Sequence, residues 1–240
     1  MSNIRQAFQN GKAFIPFMTC GDPDLESTKR NVRAAVAAGA DLVELGIPFS
    51  DPTAEGPVIQ AANLRALSGG VTTDAVFQMV AELREELTTP LVFMTYANVV
   101  FSYGIARFAA RAAEVGIDGI ILPDVPFEEK EEFAPAFRAV GIDFISMIAP
   151  TSMARIREIA AAAEGFLYVV SSLGVTGVRQ EINTDLSGML ASVRQANPSL
   201  PAAIGFGIST PAQAKRMAAV ADGVIVGSAI VRIMAEKGRE

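Results

Sequence analysis

Short apolar runs alternate along this chain with longer stretches in which apolar residues return every three or four positions. Residues 14–18, 42–45, 91–96 and 119–122 predict four strands, and 144–148, 166–170, 203–206 and 224–226 predict four more. Between them lie helical spacings such as Val76, Val80, Leu83 and Leu87, or Met153, Ile156, Ile159 and Ala163. A short phrase recurs where helical patterns give way to strands: Ala38-Gly39-Ala40-Asp41, Val115-Gly116-Ile117-Asp118 and Val140-Gly141-Ile142-Asp143. Each glycine suits the left-handed position that stops a helix and turns the chain toward the next strand. Eight strand and helix units with strands apolar on both faces predict an α/β fold of the closed parallel (β/α)8 barrel (TIM barrel) type. An open sheet would leave two edge strands to protect. A doubly wound open sheet is the alternative. No linker rich in Pro, Gly and Ser divides the chain, so residues 1–240 are expected to form a single domain.

In such a barrel the chemistry gathers where strands end. That rule selects Thr19 and Asp22, residues 44–55, Tyr96 and Asn98, Asp124, residues 171–177, residues 205–209, and Gly227 with Ser228. Glu44 sits inside the apolar run Leu42-Val43-Glu44-Leu45-Gly46-Ile47, where an ionised carboxylate is costly unless paired. Burial would raise its pKa and suit it to proton transfer near neutral pH. Alternatively it pairs with a buried cation or points outward between barrel and helices. The segment 50–57, with two prolines and a glycine after Pro48, is too rich in turn formers to be helical. It is either an active-site loop that holds Glu55 as a second carboxylate or a solvated surface loop. Gly205-Phe206-Gly207-Ile208-Ser209, Gly227-Ser228 and Gly174-Val175-Thr176-Gly177 stand at the ends of three successive strands. Backbone amides there, with a helix N-terminus, would suit a phosphate. Asp74 and Asp185 lie near predicted helix starts and read as caps.

Composition narrows the chemistry. There are 20 basic and 26 acidic residues, a net charge of -6, and no basic stripe for nucleic acid. No apolar run reaches the roughly 20 residues that span a bilayer, and the start of the chain is polar, so a cytoplasmic protein is expected. With no histidine and one cysteine, Cys20, the commonest zinc ligand and general base are missing and no internal disulfide can form. Acid and base work falls to carboxylates, tyrosine or lysine.

The segments Phe14-Ile15-Pro16-Phe17-Met18-Thr19-Cys20-Gly21-Asp22-Pro23 and Glu44-Leu45-Gly46-Ile47-Pro48-Phe49-Ser50-Asp51-Pro52 resemble the tryptophan synthase α subunits. So do Tyr96-Ala97-Asn98, Asp124-Val125-Pro126, Gly174-Val175-Thr176-Gly177, Gly205-Phe206-Gly207-Ile208-Ser209 and Gly227-Ser228-Ala229-Ile230-Val231, and the resemblance spans nearly the whole chain. It implies a lyase of tryptophan biosynthesis that splits indole-3-glycerol phosphate into indole and glyceraldehyde 3-phosphate. By the same resemblance Glu44 is the general acid and base, Tyr168 assists it, and Glu55 takes the place of an aspartate that binds the indole N–H. Tyr168 also reads as a core tyrosine. Gly177, Phe206, Gly207, Gly227 and Ser228 match phosphate-binding positions, Phe17, Tyr96 and Ile121 match the walls of the indole slot, and Thr176 lies in a loop that closes over substrate. The implied partner is a β subunit that carries pyridoxal phosphate in an α2β2 heterotetramer, with residues 50–57 and 96–103 at the interface, leaving this chain without a cofactor of its own. The other readings are a regulatory subunit with little catalysis, a free-standing lyase, or a different phosphate-binding barrel such as an isomerase or epimerase of sugar phosphates. The family usually continues into a further helix, so a shortened C-terminal helix is expected after Gly227-Ser228.

Overall fold

The computed structural model describes residues 3–150, 153–171 and 185–237. Nine parallel strands form one sheet: β1 (Ala13–Thr19), β2 (Val43–Gly46), β3 (Leu91–Met94), β4 (Gly119–Ile121), β5 (Asp143–Phe144), β6 (Met147–Ile148), β7 (Leu167–Val170), β8 (Ala202–Gly205) and β9 (Gly223–Val226). Their order is β5-β4-β3-β2-β1-β9-β8-β7-β6. The two ends of that order are consecutive in the chain, separated only by Ile145 and Ser146. The predicted fifth strand, 144–148, is thus two short pieces, one bonded to β4 and the other to β7. Strands of a closed barrel tilt, so the early residues of one strand meet one neighbour and its late residues the other. That change of partner closes the barrel, and the open-sheet alternative falls.

Helices α1 (Leu25–Ala37), α2 (Pro57–Ser68), α3 (Thr73–Arg84), α4 (Ala97–Tyr103) and α5 (Ile105–Glu114) follow the first three strands, and α6 (Ala134–Ala139) follows β4. The second half carries α7 (Met153–Ala161), α8 (Leu186–Ala196), α9 (Pro211–Val220) and α10 (Ser228–Lys237). Alternation along each strand sorts side chains to two sides. Ile15, Phe17, Leu42, Val92, Met94, Ile121, Tyr168, Ala203 and Ile225 fill the barrel interior. Their neighbours pack outward in two sectors: Leu45, Phe93 and Ile120 under α1 and α3 to α6, and Val169, Ile204 and Val224 under α7 to α9. Helix α10 leaves Ile233 exposed.

The three repeated phrases make one structure. Gly39, Gly116 and Gly141 have φ of 97°, 85° and 80°. The residue after each sends its N–H back five positions, Ala40 to Ala35, Ile117 to Ala112 and Ile142 to Phe137, which is the bond that closes a helix end. Two of the aspartates that follow, Asp41 and Asp118, serve the N-terminal rim of the barrel. Asp41 accepts the N–H of Phe14 at 2.8 Å, Asp118 that of Leu91 at 3.0 Å, and Asp222, from a fourth site without the glycine phrase, that of Ala202 at 3.0 Å. Asp118 is also paired with Arg84 at 2.7 Å.

Candidate active site

Glu44 lies on β2 between Phe17 of β1 and Val92 of β3. It shares the inward face with Leu42, is 1% exposed, and neither carboxyl oxygen has a hydrogen-bond partner among the described residues. Burial, and next the negative charge of Glu55, push its pKa up to about 8. Neither alternative reading of Glu44, a buried ion pair or an outward side chain, describes what is found. Near neutral pH it exchanges a proton readily.

Glu55 arrives from the loop between β2 and α2. Gly56 and Pro57 open α2, and the Gln60 side-chain amide donates to the Glu55 carbonyl at 2.8 Å, fixing the loop to the first helical turn. Ser50, Asp51 and Thr53 of this loop are exposed, but Glu55 is 5% exposed, so the loop lies at the surface and turns this one side chain inward. The Tyr96 hydroxyl donates to it and accepts the N–H groups of Thr53 at 3.1 Å and Ala54 at 2.9 Å. Burial raises the Glu55 pKa, and the bond from Tyr96 opposes that rise. The Tyr96 ring stacks on Phe49 with centroids 5.1 Å apart. The sequence reading places Tyr96 in the wall of the indole slot; it is not among the residues that line the cleft and meets them through Glu55, a polar contact the sequence does not show.

Both carboxylates line one cleft, together with Phe17, Tyr168, Phe206, Gly207, Gly227 and Ser228. Tyr168 is held edge-on to Phe206, centroids 6.0 Å apart, and burial followed by the charges of Glu44 and Glu55 keeps its phenol well above the ordinary tyrosine range. Its place depends on Gly205, where an added Cβ would lie 2.5 Å from the Tyr168 hydroxyl. Gly205→Ala is therefore expected to displace the phenol, lowering turnover about 10-fold and folding stability by about 1–3 kcal/mol, read by steady-state kinetics and calorimetry. Phe206 has a left-handed φ of 72°, a strained conformation for a side chain of this kind, and the Ser171 hydroxyl donates to its carbonyl at 2.7 Å. Ser228 begins α10 and lines the same cleft, so a helix N-terminus lies at its edge.

Ile121 is buried in the interior cluster and backs the cleft without lining it. Ile59, Met94, Ile208 and Ile225 form wall in addition to the anticipated residues. Strand alternation points Met94 and Ile225 inward and offered a signal for them; Ile59 comes from α2 and offered none. Gly177 and Thr176 lie outside the described residues. Asp185 caps α8 by accepting from Gly188, whereas α3 is capped by Thr72 and Asp74 accepts instead from the Tyr103 hydroxyl at 2.5 Å. Asp22, buried, is held by Arg65 at 2.7 and 2.8 Å away from the carboxylate pair. Among the described residues no group of three or more His, Cys, Asp or Glu side chains is placed to hold a metal ion.

The model of the family "Tryptophan synthase alpha chain" matches residues 2–240. The tryptophan synthase alpha chain of Lacticaseibacillus casei is 50% identical over 240 residues, which cover 100% of this chain and 90% of the relative. That of Lactiplantibacillus plantarum is 53% identical over 236 residues, covering 98% and 89%. Among solved structures, Mycobacterium tuberculosis tryptophan synthase is similar with a TM-score of 0.90 at 33% identity, covering 99% of this chain and 93% of that one. The tryptophan synthase complex of Pyrococcus furiosus is similar with a TM-score of 0.82 at 38% identity, covering 95% and 92%. A barrel with two buried carboxylates over an apolar cleft and a full-length match at this identity lead to one assignment: the chain belongs to the tryptophan synthase alpha chain family.

Proposed function

We propose that residues 1–240 form one catalytic barrel domain that cleaves indole-3-glycerol phosphate by a retro-aldol reaction, giving indole and glyceraldehyde 3-phosphate. The observation that carries this reading is Glu44, a buried and unpaired carboxyl poised near neutral pH, in one cleft with a second buried carboxylate. Protonated Glu44 gives its proton to C3 of the indole ring. The ring becomes a cationic indolenine, whose N–H is bound by the carboxylate of Glu55. The glycerol hydroxyl next to the scissile bond then loses its proton to the Glu44 carboxylate. The electrons of its O–H bond form the aldehyde carbonyl, and those of the broken C–C bond return to the ring and neutralise it. Tyr168, protonated throughout, lines the cleft beside Glu44 and does not serve as a base. Phe17 flanks the ring, with Tyr96 and Ile121 behind it. The phosphate goes to the amides of Phe206, Gly207, Gly227 and Ser228, where a helix N-terminus favours an anion, with Gly177 completing the set and Thr176 in the closing loop.

The released indole is taken by a β subunit that carries pyridoxal phosphate, in an α2β2 assembly. Support for the partner comes from the Pyrococcus furiosus complex among the similar structures and from Leu64 and Phe101, 67% and 63% exposed beside residues 50–57 and within residues 96–103. Among the described residues no helix is long and apolar enough to cross a membrane.

The test is indole release from indole-3-glycerol phosphate by the purified chain, alone and with a tryptophan synthase β subunit. Slow release alone that rises at least 10-fold with the partner is expected, since binding that orders the site raises the competent population. A chain that stimulates the β reaction yet never releases indole is a regulatory subunit.

A further inference from the structure

Tyr96 stands at the end of β3, directly before α4, and is itself buried. Its backbone is held on both sides: the Tyr96 carbonyl accepts from Val99 at 3.0 Å, and the next N–H, that of Ala97, is taken by the Asp124 carboxylate at 3.1 Å. Its ring is held by the stack on Phe49. A phenol oxygen has one hydrogen to give and two lone pairs. Here the hydrogen goes to Glu55 Oε2 and the lone pairs to the amides of Thr53 and Ala54, so every bonding capacity of the hydroxyl is used on one loop. The remaining ionisable groups that face Glu55 are Glu44 from β2, Tyr168 from β7 and Asp124 after β4. None of them is a cation. The Tyr96 hydroxyl is the largest of the hydrogen-bond donors that favour this carboxylate, ahead of the backbone N–H groups of Glu55 and Ala54.

We infer that Tyr96 is a positioning residue: it ties the Glu55 carboxylate to the backbone of the loop that carries it and aims it at the indole N–H. The inference rests on the retro-aldol reading of the cleft. An apolar wall needs only the ring, and phenylalanine would supply it. The clamp needs the hydroxyl, and it also needs a glutamate's length at position 55, because a side chain one methylene shorter draws the carboxylate away from the phenol.

The experiment compares the full chain with Tyr96→Phe, Glu55→Asp and the double variant, in the presence of the β subunit. Tyr96→Phe is expected to lower kcat about 10-fold or more with KM little changed, since a displaced catalytic group costs rate more than binding. With its donor gone, the Glu55 carboxyl titrates at higher pH, so the acid limb of the pH profile moves upward. Glu55→Asp costs a similar factor, and the double variant is no worse than either single one, because both remove the same contact. A carbon-13 titration of the glutamate carboxyls reads the clamp without turnover: the Glu55 signal shifts its midpoint upward in Tyr96→Phe. Unchanged kcat and an unmoved Glu55 midpoint would overturn the inference and leave Tyr96 as apolar wall. Additive losses in the double variant would overturn it as well. If the unmodified chain releases no indole, the lyase reading fails, while the carboxyl titration still decides whether the clamp exists.

Discussion

Glu44→Gln lowers indole release by about 1,000-fold and flattens the pH dependence of stability, the largest kinetic effect expected for this chain. The side chain keeps its shape, so the barrel and cleft remain, while the group that gives the ring its proton is gone. The stability effect follows from the same burial. In the folded chain Glu44 titrates at about 8, against an ordinary value of 4.5 that it regains on unfolding. Between those values the folded state keeps a proton that the unfolded state has released. Stability contributed by protonated Glu44 is therefore complete below about pH 4.5 and falls as pH rises, by about 5 kcal/mol in total once pH passes 8. Glutamine does not titrate, so the variant loses this slope and gains on the parent in alkaline solution. Denaturant unfolding of both proteins at pH 6 and pH 9 measures it; parallel losses of stability would show that Glu44 ionises freely in the fold.

Phe77→Ala costs about 3–5 kcal/mol of folding stability with little change in the rate per folded molecule. Phe77, on α3, is fully buried and makes edge contacts with Phe93, Tyr103 and Phe108 at centroid distances of 5.7, 5.5 and 5.1 Å. It thus joins a strand to three helices of one outer sector. Removing the ring leaves a cavity that fixed neighbours cannot fill, and each aromatic contact adds about 0.5–1.5 kcal/mol beyond buried area. Chemical denaturation reads the loss. A change below about 1 kcal/mol would mean that the sector repacks.

The alternation of the sequence carried most of this architecture because a barrel strand buried on both faces admits few polar residues. Seven of the eight predicted strands are single strands within one or two residues at each end, and the repeated glycine phrases mark three real helix ends. The break at Ile145 and Ser146 was not legible, since inward and outward positions continue regularly through it and only the choice of partner changes. In the cleft, Glu44 was visible as a charge in an apolar run. The bond between Tyr96 and Glu55 was not, because residues 41 positions apart meet only once the strands are assembled. Ile59 was hidden for the same reason: a helix residue enters the cleft by the way α2 docks, which periodicity does not specify.

The aspartates at the N-terminal rim have an evolutionary meaning. Asp41, Asp118 and Asp222 fasten strands at the end opposite to the one where the carboxylates and glycine turns converge. Fastening and chemistry thus occupy opposite mouths of the barrel, and a residue exchanged at one is spared direct conflict with the other. Such a scaffold is open to diversification: the loops of the reactive mouth can be varied in length and sequence to seek new substrates, while three acidic staples at the far mouth keep the variants folded long enough to be selected.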